Sequence, residues 1–130
     1  LLAMKHVQQS DFQEAHRWLD EAREKEAEQG SLFFDTFFRL IAERRLAVAE
    51  RDWPEAWSAF ESFIEMVEKS GMRWWRAQAL REWAEAHLAR GESGDEERVR
   101  ELLLESQAEF EDMGAPIYAA QVKEILSGLA

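Results

Sequence analysis

The strongest constraint on this chain is a stretch that occurs three times. Each copy opens on an aspartate, places alanine or valine four residues on and a large apolar residue eight residues on, and closes on a glycine nineteen residues on. The copies run from Asp11 to Gly30, from Asp52 to Gly71 and from Asp95 to Gly114. Their apolar positions are Ala15 and Leu19, Ala56 and Phe60, and Val99 and Leu103. Soon after each glycine comes an apolar pair: Phe33-Phe34, Trp74-Trp75 and Ile117-Tyr118. Aspartate starts a helix by accepting backbone N–H bonds, and glycine ends one because it tolerates the left-handed conformation. Each copy therefore reads as a helix of about five turns. A repeat at this spacing is the signature of stacked supersecondary units.

Extending the pattern along the chain gives seven helices, near 1–9, 11–29, 32–51, 53–70, 73–91, 94–113 and 116–128. No β-type alternation interrupts them. The two prolines, Pro54 and Pro116, both fall in a first helical turn, where the missing N–H has no intrahelical partner to lose. The stripes Phe12-Ala15-Trp18-Leu19-Ala22 and Trp53-Ala56-Trp57-Phe60-Phe63 follow the spacing of a helix with one buried face. Helix 32–51 is apolar over much of its circumference, as expected of an element packed on several sides. Connections of one to four residues make neighbouring helices antiparallel, and hairpins at a fixed period stack into a superhelix. The expected fold is all-α: antiparallel hairpins stacked as a right-handed superhelix, in a single domain over 1–130. Its repeats would cover about 1–30, 31–71 and 72–114, with a terminal helix at 115–130.

The phrases Asp11-Phe12-Gln13-Glu14-Ala15 and Asp52-Trp53-Pro54-Glu55-Ala56 resemble the start of the second helix of a tetratricopeptide repeat. Phe38-x-x-Ile41-Ala42 and Leu80-x-x-Trp83-Ala84-x-x-His87 resemble the large–x–x–large–small pattern of its first helix, and Val122-x-x-Ile125-Leu126-x-x-Leu129 does so more loosely. The aspartates recur after 41 and 43 residues rather than the family's 34. That longer period is similar to the long-helix repeats of bacterial multidomain signalling proteins and transcriptional regulators. In this family the first helix of each pair lines a concave groove and the second faces outward. The resemblance therefore implies a scaffold for protein–protein interaction.

Composition narrows the chemistry. The 130 residues contain no cysteine, which excludes disulfides, thiolate metal sites and cysteine nucleophiles and sits easily with a cytoplasmic location. A net charge of −11 argues against binding nucleic acid or an anionic membrane. Gly91-Glu92-Ser93-Gly94 lacks the lysine and the preceding strand of a phosphate loop. His16 and Asp20, one turn apart, read as a solvated pair rather than a metal site. His87 reads as a core histidine with a hydrogen-bond partner. With no catalytic constellation, no metal and no cofactor expected, the chain is read as a non-enzyme. Leu1 is not a start methionine, and the chain is expected to be a piece of a longer protein.

The charge is segregated. The Asp-started stretches 11–29, 52–70 and 92–113 carry −4, −4 and −7, whereas 32–51 and 72–91 carry +1 and +2. Aligned on Ala42, Ala84 and Leu126, the alternate helices repeat a cation three residues earlier: Arg39, Arg81 and Lys123. Glu43 and Glu85 follow one turn later, and Gln78 precedes Arg81 by a turn. The resemblance places these positions in the groove, with Phe37 at its edge. They could hold an acidic or C-terminal peptide through charge-assisted hydrogen bonds. The competing reading is structural: Arg39–Glu43 and Arg81–Glu85 are i, i+4 pairs that stabilise a helix by ~0.3–0.5 kcal/mol with no ligand. The expected partner is a protein or peptide, or another domain of the same chain, bound at Phe37, Arg39, Glu43, Gln78, Arg81, Glu85 and Lys123. Two alternatives stand beside it. One is a ligand-sensing regulatory domain with a pocket by Phe37, Phe38, Trp74 and Trp75. The other is a homodimer made through the exposed ends of the stack.

Overall fold

The computed structural model describes residues 12–30 and 32–129, and among these it contains six helices and no strand. They are α1 (Phe12–Gln29), α2 (Phe33–Ala49), α3 (Trp53–Lys69), α4 (Arg73–Arg90), α5 (Asp95–Asp112) and α6 (Pro116–Ser127). Six of the seven expected helices are thus present, each within two residues of its expected ends. The helix expected near 1–9 lies outside the described residues. The chain divides into two compact units, Leu1–Phe63 and Ile64–Ala130, and the division falls inside α3.

The repeated apolar positions face inward in all three copies. Ala15, Ala56 and Val99 are buried, and so are Leu19, Phe60 and Leu103. In the first unit α1 packs on α2 through Ala15, Leu19, Ala42 and Leu46, with Phe12 and Trp18 against them. The Phe37 and Phe63 rings lie 5.3 Å apart. The fully buried Arg44 guanidinium sits 4.4 Å from the Phe63 centroid and 5.5 Å from that of Phe60. A cation over ring faces away from water gains more than it would at the surface. In the second unit α5 packs between α4 and α6. Trp74 meets Trp75, Phe110 and Tyr118, and Ser106 Oγ donates 2.7 Å to the carbonyl of Ala77.

Three helices end in one geometry. After α3, Gly71 N–H donates to Glu68 and Met72 N–H to Val67; after α5, Gly114 N–H donates to Glu111 and Ala115 N–H to Phe110. This double closure needs a left-handed residue, and Gly71 and Gly114 have φ of 69° and 73°. After α2 the same two bonds form from Arg51 to Val48 and from Asp52 to Ala47, with Arg51 at φ 59°. The sequence marks no glycine there, so an arginine takes the strained conformation. A Cβ on Gly114 would meet nothing within 4 Å, which leaves backbone strain as the whole cost of a side chain. Gly114→Ala is therefore expected to lose about 1–2 kcal/mol. Arg51→Gly relieves similar strain but adds unfolded-state entropy, so it should change stability by less than about 1 kcal/mol. Urea unfolding of the two variants checks both values.

The aspartates are less uniform than the glycines. Asp52 caps α3, accepting from Glu55 N–H at 3.4 Å. Asp95 was expected to cap in the same way, but Gly94 occupies the cap position of α5 and Asp95 is its first helical residue. The longer loop 91–94 supplies that glycine and leaves the Asp95 carboxylate to turn backward.

Candidate functional site

Of the three expected basic positions, Arg39 and Arg81 are engaged within the fold. Arg39 donates from Nε to Glu26 at 2.7 Å and from Nη1 to Glu43 at 2.8 Å. The pull of burial on the Arg39 pKa is outweighed by Glu43 and Glu26, which raise it above its ordinary value. Glu43 is buried and also accepts from Arg23 Nη2 at 2.6 Å. Arg81 donates to Glu85 and, at 3.4 Å, to Gln78. Lys123 is exposed on α6. Phe37 is buried, with its ring against Phe33, Phe34, Phe38 and Phe63. Both i, i+4 pairs are thus present, and within the first unit Arg39 also ties α2 to α1.

Glu26 explains why. Counted back from the closing glycine, its position is held by Val67 and Phe110 in the other copies, and both are buried. The first copy puts a carboxylate there, and Thr36 Oγ1 and Arg39 satisfy it. The second unit ties its helices in a comparable way. Arg76 donates to Glu68, Glu105 and Glu109 at 2.8, 2.7 and 2.9 Å, and Arg73 to Asp112 at 2.6 Å. Much of the charge segregation legible in the sequence is therefore consumed by ion pairs between neighbouring helices.

A third polar cluster closes the turn between α4 and α5. The buried Asp95 accepts from Arg90 Nη2 at 2.6 Å and Nε at 3.0 Å, and from Glu92 N–H at 2.9 Å. His87 Nδ1 lies 2.7 Å from Asp95 Oδ1, and because an ionised carboxylate can only accept, the imidazole donates. The Arg90 guanidinium, then His87 and the Glu92 N–H, hold the Asp95 carboxyl well below the usual carboxylate range. His87 is thus a core histidine with a partner, as its position on the packed face implies. His16 is exposed and bonds Glu50 rather than Asp20, with 2.7 Å between His16 Nε2 and Glu50 Oε1. Among the described residues no group of three His, Asp or Glu side chains could hold a metal ion, and no helix is long and apolar enough to cross a membrane.

A cleft of about 490 Å³ lies between α1 and α2, lined by Trp18, Ala22, Lys25, Leu32, Asp35 and Phe38 among others. Beside it on α2, Phe34 is 61% exposed. The repeat register says what such a face does elsewhere. Counted from the closing glycine, Trp18, Ala22, Phe34 and Phe38 correspond to Leu102, Ser106, Tyr118 and Val122. In that later copy Leu102, Ser106 and Val122 are buried, Ser106 bonds Ala77, and Tyr118 packs 5.4 Å from Trp74. The covering element there is α4. In the middle copy the counterpart of Ala22 is Phe63, and α2 covers it through Phe37. The sequence placed Trp18 and Ala22 on the buried stripe of their helix and Phe38 beside a candidate pocket, and the structure brings these three together with Leu32 around the cleft. No family model, curated protein or solved structure matches the chain.

Proposed function

We propose that this chain is a tetratricopeptide-like array of helical hairpins that serves as a non-catalytic interaction module within a larger regulatory protein, and that the α1–α2 cleft seats an amphipathic helix of the partner. The observation that carries this reading is the cleft at Trp18, Ala22 and Phe38, which no helix among the described residues covers, on a face that α4 covers in the last copy. The volume and mixed lining suit a few apolar anchors with polar groups at the rim. The array is supported by the shared core positions and by the common closure after α2, α3 and α5.

The probe is a peptide of residues 72–91, which carries the Trp74 and Ala77 face of α4. Titrated against the protein by fluorescence anisotropy, it should bind with a Kd on the order of 10 μM, a modest affinity because the helix must be ordered on docking. Phe38→Glu should weaken binding at least about tenfold, the effect of losing an anchor. Arg81→Glu tests the basic positions in the same assay. Loss of binding in Arg81→Glu with Phe38→Glu unaffected would move the site away from the cleft.

A further inference from the structure

In the last copy the apolar seat has an acidic rim, and the helix on it carries the opposite charge. Arg73 of α4 donates to Asp112, and Arg76 donates to Glu105 and Glu109. These cations flank Trp74 and Ala77, which meet Tyr118 and Ser106. Arg73 at the start of α4 meets Asp112 at the end of α5, so the two helices run antiparallel. Counted from the closing glycine, Glu105, Glu109 and Asp112 correspond to Ser62, Met66 and Lys69 in the middle copy and to Glu21, Lys25 and Glu28 in the first. The middle copy has no acid there, and α2, aligned on Ala42 and Ala84, has Ser31 and Phe34 where α4 has its arginines. Rim and packing helix therefore change together: acids face arginines in the last copy, and neither is present in the middle one. The first copy keeps acids. Glu21 lines the cleft and Glu28 lies two turns further along α1; both are exposed, and no described residue bonds either. Asp35 adds a carboxylate to the lining, at the position of the buried Ala119.

Resting on the helix seat proposed above, we infer that the cleft selects a partner helix with a cationic edge, lying antiparallel to α1. Arginine or lysine at the positions of Arg73 and Arg76 faces Glu28 and Glu21, beside apolar anchors at the positions of Trp74 and Ala77. Arg73-Trp74-Trp75-Arg76-Ala77 is the only stretch of these 130 residues with that order of cation, anchor and small residue, and it is already seated on α5. Complementary charge along the edge fixes the register of such a helix and rejects acidic ones. Lys25 tempers the fit, because it sets an ammonium where Glu109 gives Arg76 a second carboxylate.

Fluorescence anisotropy with the 72–91 peptide reads these charges one at a time. Lys25→Glu completes the acidic rim of the last copy and should tighten binding about threefold, the effect of one exposed ion pair. Damage to the fold cannot produce such a gain. Glu21→Lys and Glu28→Lys should each weaken binding about threefold, with helical content unchanged by circular dichroism. The peptide carrying R76E should bind Glu21→Lys better than it binds the wild-type protein, and the peptide carrying R73E should do the same with Glu28→Lys. Recovery in the crossed pairs instead overturns the antiparallel placement. Affinity of the unmodified peptide should fall as NaCl rises from about 50 to about 500 mM. If that peptide binds in a Phe38-dependent manner but ignores all three charge changes, the cleft remains a helix seat and its charge selectivity is rejected; if it does not bind, both readings fall.

Discussion

Asp95→Asn is expected to lose about 2–3 kcal/mol of stability at pH 7 in urea unfolding followed by tryptophan fluorescence. The carboxylate is buried and accepts four bonds, two from Arg90 and one each from His87 and the Glu92 backbone. Hydrogen bonds to a charged group contribute about 1.5–3 kcal/mol each, and breaking a fully buried pair costs about 3–5 kcal/mol. The lower figure applies because Arg90 can rehydrate and keeps Glu92 Oε2 at 3.3 Å. Asparagine also turns an amide N–H toward groups that are all donors. The pH dependence is specific to the carboxyl group. Its folded pKa is depressed, so the stabilisation is complete above the unfolded value of about 4 and is lost as pH falls through the folded value. The gap between wild type and variant should stay constant from pH 7 to about 5 and narrow below about 4. A gap that closed well above about pH 5 would show that a group other than the Asp95 carboxyl carries the strength of this cluster.

Where the sequence was legible, the reason was local periodicity. Helix ends and inward positions depend on residues within a few turns of each other, so Leu19, Phe60 and Leu103 could be placed from spacing alone. Gly71 and Gly114 close their helices because no other residue takes positive φ without strain. The same logic failed after α2, where Arg51 makes the closure. The ion pairs failed for a different reason. Spacing reveals Arg39–Glu43, but Arg39–Glu26 and Arg76–Glu109 join residues 13 and 33 apart, and only packing brings them together. Arg44 falls in an apolar helix as an interruption, and nothing nearby in sequence announces the Phe60 and Phe63 rings beneath it. The cleft was legible in principle. It required comparing what corresponding positions touch in different copies rather than asking which residues repeat.

The second large effect is expected at Arg76, where one guanidinium holds three carboxylates. Nε, Nη2 and Nη1 bond Glu68, Glu105 and Glu109, joining α4 to α3 and α5. Burial pulls the Arg76 pKa down, but the bonds to Glu105 and Glu68 and the charge of Glu109 raise it above its ordinary value. Arg76→Met keeps the apolar stem and removes the only cation bonded to all three. The half-exposed Glu68 and Glu105 can rehydrate, while Glu109, with a side chain 21% exposed, has less access to water. The cost should be about 2–3 kcal/mol, below the value for a fully buried pair. Because the damage is repulsion among acids, it should shrink with added salt. Glu109→Gln gives the sharper readout. In the wild-type background it removes a bond to Arg76 and should destabilise. In Arg76→Met it removes one of three repelling charges and should stabilise. A double-mutant cycle would register this reversal as a coupling of about 1–3 kcal/mol. Additive losses would mean that the three glutamates rehydrate independently and that Arg76 contributes to the fold through its stem alone.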